Sequence, residues 1–241
     1  MNKLSYDLHI HSCLSPCGDE DMTPANIVGM AAVKELAIIA VTDHNSCKNC
    51  PAVLTMAEQY GILAVPGMEL CTMEEVHVLC LFAKLQDAMD FDAFVSTKLI
   101  KIPNNEKIFG KQEIYNTMDQ CIGTEPYLLI NATEIPFGHL DEIMKKFHGI
   151  YIPAHMDKNA NSLLSNLGFI PPDSRFPCAE IRDVGCLPEL RQSNPYLNQC
   201  NIITNSDAHT LASINEPKNF LKVRNRSIEG VLEALSIRLS L

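Results

Sequence analysis

The chain has 241 residues, 46% of them hydrophobic, and a formal net charge of −10. That length suits one large domain or two small ones and falls within the range of a single α/β barrel. The acidic balance argues against general nucleic-acid binding, because phosphate backbones select basic surfaces, whereas a small anionic substrate stays open because bound cations invert the local field.

In chain order, residues 4–10 (LSYDLHI) read as a strand, and 24–35 as a helix with Thr23 as N-cap and Pro24 at its first position. The unbroken apolar run 36–42 (LAIIAVT) predicts a strand buried on both faces. A helix over 51–60 and strands at 62–66 and 76–82 follow. Residues 98–125, rich in Lys, Asn and Gly, are the least regular and read as a loop or small insert. Further strands are expected at 127–131, 149–155, 179–184 and 201–209, with helices near 139–147 and at 227–239. Alternating strands and helices predict a mostly parallel sheet. The polar residues Asp43, His44, Glu69, His155, Asp207 and His209 sit just after apolar runs, at the carboxyl edge where α/β folds bind ligands. With no internal repeat and no clear boundary, residues 1–241 read as one domain.

Ten cysteines are many for this length. The N-terminus MNKLSYDLHIHS lacks the apolar stretch of a signal peptide and no run approaches a membrane span, so the expectation is a cytoplasmic chain with reduced thiols and no membrane partner. Cys80, inside VHVLCLF, reads as a small hydrophobe. Cys47 and Cys50 have CxxC spacing but no second pair, and read as structural.

His9 and His11 lie two apart in a strand, so both imidazoles face one side. Alone, the pair is equally compatible with two solvated histidines. Six of the eight histidines, however, fall in or at the ends of strands: His9, His11, His44, His77, His155 and His209. Imidazole suits first-row ions, and carboxylates extend the range toward harder ones. The set is too large for one tetrahedral ion and suggests two or three ions sharing a bridging carboxylate. No GxGxxG, GxxxxGK[ST] or GxSxG motif competes.

The strings DLHIHS, TDHN at 42–45, GMEL at 67–70, VHVL at 76–79, PAH at 153–155 and SDAH at 206–209 resemble the ordered motifs of the PHP (polymerase and histidinol phosphatase) family. That resemblance implies a distorted (β/α)7 barrel with a trinuclear metal site at the carboxyl-terminal edge of its strands. Carried over, His9, His11, Glu69 and Asp207 hold a first ion. Glu69 bridges to a second completed by His77 and His155, and His44 and His209 hold a third. Asp7 and Asp43 would orient imidazoles. Many members place an Asp or His shortly after the first motif, but position 16 here is proline, which leaves Cys17 or Asp19; a Cys17 thiolate favours Zn or Fe.

The resemblance implies a metal-dependent phosphoesterase acting on a small phosphomonoester or nucleotide-type substrate through metal-bound hydroxide, with two or three Zn, Fe or Mn ions. Glu69, Asp207 and His209 are then the catalytic residues. Lys158 and Arg182 are candidates for binding the phosphate, each equally readable as a solvated surface charge. Phosphate is the product, and no stable nucleic-acid partner is expected. The alternatives are an amidohydrolase-type C–N hydrolase, against which Glu69 stands where a carboxylated Lys would bridge, and a non-catalytic metal-binding regulatory domain.

Overall fold

The computed structural model describes residues 1–238. Its strands are β1 (Asn2–Ile10), β2 (Ile38–Val41), β3 (Leu63–Ala64), β4 (Gly67–Cys71), β5 (His77–Phe82), β6 (Glu113–Tyr115), β7 (Cys121–Thr124), β8 (Gly149–Pro153), β9 (Cys178–Glu180), β10 (Asn201–Ile203) and β11 (Phe220–Val223). Its α-helices are α1 (Pro24–Val33), α2 (Cys50–Gln59), α3 (Leu85–Lys98), α4 (Glu106–Phe109), α5 (Leu140–Lys146), α6 (Leu163–Leu167), α7 (Leu187–Ser193) and α8 (Ile228–Ser236).

The first layer follows the expected winding. Thr23 caps α1, its side chain accepting from the Asn26 amide, and Pro24 opens the helix. The helix ends two residues before the expected 35, because Glu35 takes a left-handed φ of 53° and turns the chain into β2. β1, β2 and β3 then pair in parallel, Tyr6 opposite Ile38 and Ile38 opposite Leu63. β9 and β10 are also parallel.

The rest departs from a parallel sheet. β4, β5 and β8 form an antiparallel meander. Between Cys71 and His77 the chain is far too short for the crossover that parallel strands require, so it reverses as a hairpin. β11 adds antiparallel to β1. The run at 127–131 is not a strand; only Tyr127 bridges, to Pro103. Residues 98–125 hold α4 and the small β6–β7 hairpin. The predicted helix at 227–239 is α8, and residue 239 lies outside the described residues.

The ladders are four separate sheets, and isolated contacts join them at one end. His44 bridges to Glu69, Ile10 bridges to Ala208, and the Met156 amide donates to Glu180 O at 2.9 Å. The barrel closure implied by the resemblance is met only in these end contacts, which bring β1, β2, β4, β5, β8, β9 and β10 together where the conspicuous histidines lie. The interior is apolar, with Leu8, Ile38, Ala40, Leu79, Ile152, Cys178 and Ile203 packed in one cluster. Cys47, Cys50 and Cys80 are free thiols buried beside Met68, Phe82 and Phe91, as expected for small hydrophobes. No helix among the described residues is long and apolar enough to cross a membrane.

Candidate metal centre

β1 delivers His9, and His11 follows one residue beyond its end, its amide donating to Ala208 O at 2.9 Å. Alternation along the strand puts both rings on one face. His44 lies just after β2, Glu69 in the middle of β4, and His77 at the first position of β5. His155 and Asp207, after β8 and β10, both have left-handed φ values, 31° and 53°. For non-glycine residues such backbones cost roughly 1–3 kcal/mol each, which the surrounding packing must offset, and they commonly mark functional sites.

All of these side chains converge on Glu69. Five imidazole nitrogens surround its carboxylate: His77 Nδ1 at 3.0 Å, His44 Nδ1 and His155 Nε2 at 3.1 Å, His9 Nε2 at 3.2 Å and His11 Nε2 at 3.4 Å. Asp207 Oδ1 adds 3.4 Å contacts to the Nε2 atoms of both His9 and His11. His209 stacks on His11 with ring centroids 4.5 Å apart. A carboxylate offers about four lone-pair sites, fewer than five donors would need. His77 Nδ1 and His155 Nε2 hydrogen-bond to Glu69 Oε1, whereas buried His44 Nδ1 has no hydrogen-bond partner in spite of its 3.1 Å approach.

The tautomers sharpen this point. His9 Nδ1 lies 3.0 Å from Glu180 Oε2, an acceptor, so Nδ1 carries the proton and Nε2 presents its lone pair. His11 Nδ1 lies 3.0 Å from Ser15 Oγ, whose own proton goes to Asp43 Oδ1 at 2.7 Å. In the neutral rings His11 Nε2, like His9 Nε2, is therefore the lone-pair nitrogen, and without a cation the surrounding carboxylates favour a proton there, raising the pKa of both histidines. These two Nε2 atoms stand 3.2 Å apart and face the same carboxylates. Lone pairs and anionic oxygens converging in a buried space need positive charge, from protons or from a cation, so the residues suit the metal ions that the donor chemistry implies.

Charge follows the same logic. Burial opposes charge on His9, but Glu180, Glu69 and Asp207 outweigh it and raise its pKa well above the ordinary value. His77 behaves alike: burial works against the charge, Glu69 overrides it, and the pKa reaches about 10. His44 goes the other way, driven well below its ordinary value by burial and by neighbouring His11 and His77. Glu69 is pushed well below the usual carboxylate range by His77, His9 and His44 in spite of burial, and Asp207 is lowered chiefly by His9 and by its hydrogen bond with His11.

Some assignments need correction. Asp7 orients no imidazole: its oxygens accept from the backbone amides of Ser206 and Asn215, and so hold the segment that carries Asp207 and His209. Asp43 acts on His11 only through Ser15. Lys158 reaches the cluster, but its Nζ sits on Asp207 Oδ2 at 2.8 Å. Arg182 is exposed; its amide is held by Asp157, and its side chain makes no hydrogen bond or ion pair among the described residues. Cys17 Sγ lies within 4.8 Å of donor atoms of His11, His44 and His209, whereas Asp19 turns its carboxylate to the Asp21 amide. Glu180 and Ser15 escaped the sequence reading. Glu180 grips His9 Nδ1, accepts from the His155 amide at 2.9 Å and from Asn205 Nδ2 at 2.7 Å, and so ties two cluster histidines together. The available signal was an acidic residue inside the apolar run CAEI, since a buried Glu is almost always paired.

Fold and donor set together define a metal-binding α/β protein. A match to the PHP domain spans residues 7–174, so the chain belongs to the PHP domain family, whose members are typically metal-dependent hydrolases. His9, His11, His44, Glu69, His77 and His155 fall inside the matched stretch; Glu180, Asp207 and His209 lie beyond it. The uncharacterized protein MJ1587 of Methanocaldococcus jannaschii is 32% identical over 76 residues, 28% of this chain and 44% of that protein. The lesion-specific endonuclease PfuEndoQ of Pyrococcus furiosus superposes with a TM-score of 0.67 at 17% identity, over 98% of this chain and 56% of the endonuclease. A Bifidobacterium adolescentis protein assigned as a metal-dependent phosphoesterase gives 0.62 at 16% identity, over 98% and 97%. At these identities the structural likeness is one of fold. The chain spans less than half of the archaeal relative and little more than half of the endonuclease.

Proposed function

We propose that the chain is a phosphoesterase that hydrolyses a small phosphomonoester at a centre of two or three Zn, Fe or Mn ions. The observation that carries this reading is the pair of His9 and His11 Nε2 atoms, 3.2 Å apart and facing Glu69 and Asp207, with each ring's Nδ1 held by an oxygen of Glu180 or Ser15. His9, His11, Glu69 and Asp207 would hold one ion, and Glu69, His77 and His155 a second, with Glu69 as the bridge. His44 and His209 would serve a third. Ions so bound supply a water of lowered pKa and neutralise charge on phosphoryl oxygens.

The chain's own residues set the geometry. Glu180 and the Ser15–Asp43 pair fix the tautomers of His9 and His11. Glu69 and Asp207, both held ionised, present anionic oxygens at neutral pH. His209 keeps its pKa below the ordinary value through burial and the neighbouring His11, so its imidazole is neutral there. Lys158, with about a third of its side chain exposed, can leave Asp207 for a phosphate oxygen on its flexible stem. The reading treats residues 1–241 as one catalytic domain, with β1, β2, β4, β5, β8, β9 and β10 as the staves of a distorted barrel. Glu69 rather than a lysine at the bridge supports phosphoester over amide cleavage.

A second reading, cleavage of a nucleic-acid phosphodiester, is favoured by the fold likeness to the lesion-specific endonuclease and opposed by the net charge of −10. A hydrolysis screen with Mn, Zn and Fe separates the two. It should include phosphorylated small molecules, single-stranded and lesion-bearing duplex oligonucleotides, and amides. Turnover of phosphomonoesters is expected; cleavage of oligonucleotides alone would establish the second reading, and of amides alone would defeat both.

A further inference from the structure

Outside the metal centre, a cavity of about 140 Å³ lies between the turn that leads into α2, helix α3 and the segment 99–129. It shares no lining residue with the proposed metal ligands. At the roughly 30 Å³ that a water takes in the liquid, it has room for about five waters or one small organic molecule.

The buried charges of this cavity do not balance. Asp92, on α3, and Glu125 both line it and are only 6% and 7% exposed. Lys48 Nζ is already paired with Glu125 Oε2. Asp92 Oδ1 accepts from Ser46 Oγ at 2.9 Å and from the Cys47 amide at 2.7 Å, whereas Oδ2 has no hydrogen-bond donor and no ion-pair partner among the described residues. Burial raises the Asp92 pKa, and the Cys47 and Ser46 donors and Lys48 do not cancel that effect. Leaving a buried carboxylate without a positive partner is costly, so the free oxygen calls for a cation.

The remaining walls define what that cation belongs to. Asp92 and Glu125 join no group of three imidazole, thiol or carboxylate donors within metal-ligand reach among the described residues, so a metal ion would be under-coordinated there. An ammonium needs only acceptors. Leu99, Leu129 and Tyr127 supply an apolar side for carbon. Lys101 Nζ stands 5.4 Å from the Tyr127 ring centroid and has no carboxylate partner among the described residues, which leaves a cation for an anionic group at the ligand's other end.

We propose that this cavity binds a small zwitterion of the amino-acid class, with its ammonium on Asp92 Oδ2 and its carboxylate toward Lys101. Because Asp92 also holds Ser46 Oγ and the Cys47 amide, an occupant bears on the turn that follows His44 and leaves the metal centre.

Calorimetric titration of the metal-loaded chain measures this binding. The probes are free L-amino acids, ω-amino acids of increasing length, alkylamines and alkyl carboxylates. At least one zwitterion is expected to bind, alkylamines to bind roughly tenfold more weakly, and alkyl carboxylates not to bind. Asp92→Asn keeps the Oδ1 acceptor and should weaken zwitterion and amine alike by about tenfold or more. Lys101→Ala, at an exposed position, should weaken the zwitterion and leave the amine unchanged. No binding by any probe, or binding of carboxylates alone, would overturn the zwitterion site. So would an affinity unchanged in both variants, the behaviour of an amino acid chelated at the metal centre instead.

Discussion

At the floor of the centre, Glu69, His9, His11 and His155 are all but fully buried; at the mouth, Asp207, Lys158, His209 and Cys17 meet solvent. The floor residues come from β-strands or the positions just beyond them and are held by a second ring of groups: Glu180 on His9, and Ser15 with Asp43 on His11. The mouth residues sit on connecting segments tied to the floor by backbone hydrogen bonds. Burial makes unpaired charge expensive, so the floor has to be electrostatically complete and fixed in place. The mouth can exchange partners, and Lys158, resting on Asp207, is placed to do so. The contrast teaches that, on the proposed function, the buried residues would set the geometry of the centre while the solvent-facing ones would meet the substrate.

The strongest break of this contrast is Glu69→Gln. It removes the shared anion, so both floor ions and all hydrolysis above background should be lost, read by elemental analysis and the phosphoesterase assay. Full occupancy in that variant would show that Glu69 is not the bridge.

Next in size is pH. With its pKa raised to about 10, His77 holds a proton that a metal ion must displace. Apparent affinity at the floor should therefore fall by up to about tenfold for each pH unit below that value and level off above it. Metal-stripped protein should behave oppositely. The protonated His77–Glu69 pair stabilises the fold fully below the ordinary histidine value near 6.5 and loses that contribution as pH rises through about 10. Chelator competition and thermal melts across pH check the two signs; a pH-independent affinity would count against His77 as a ligand.

Smaller again is Glu180→Gln, which keeps the shape but weakens the grip on His9 Nδ1. Metal affinity in chelator competition should drop by about 10–100-fold, and an unchanged affinity would clear Glu180 of supporting His9. The smallest effect is expected at the mouth. Lys158→Ala should raise KM more than Lys158→Arg and lower kcat/KM by roughly tenfold, the scale of one charged hydrogen bond weakened by exposure. Unchanged kinetics would clear Lys158 of phosphate binding.

What could be read in advance divides along the same line. Most of the centre was legible because the donors that suit a metal ion are a few side-chain types, and strand ends are the positions from which they can converge. His9, His11, His44, Glu69, His77, His155 and Asp207 do so. Glu180 was not singled out, since a lone carboxylate has no spacing partner in sequence; its partner is 171 residues away. Strand direction was read too simply, for alternation predicts parallel pairing while the short link after β4 allows only a hairpin. Helix α3 went unnoticed although Ala88, Phe91 and Val95 carry its buried face at helical spacing. The apolar run at 127–131 misled in the other direction, because Leu129 packs with Leu14 and Leu99 in a small satellite cluster rather than in a ladder.

The central claim is that the buried imidazoles around Glu69 serve to hold several metal ions. Elemental analysis of purified protein after equilibrium dialysis against Zn, Mn or Fe(II), run beside Glu69→Gln, tests it most directly. The account predicts two or three ions per wild-type chain and loss of at least two in the variant. A wild-type chain that binds none, or one ion that survives Glu69→Gln, would contradict it.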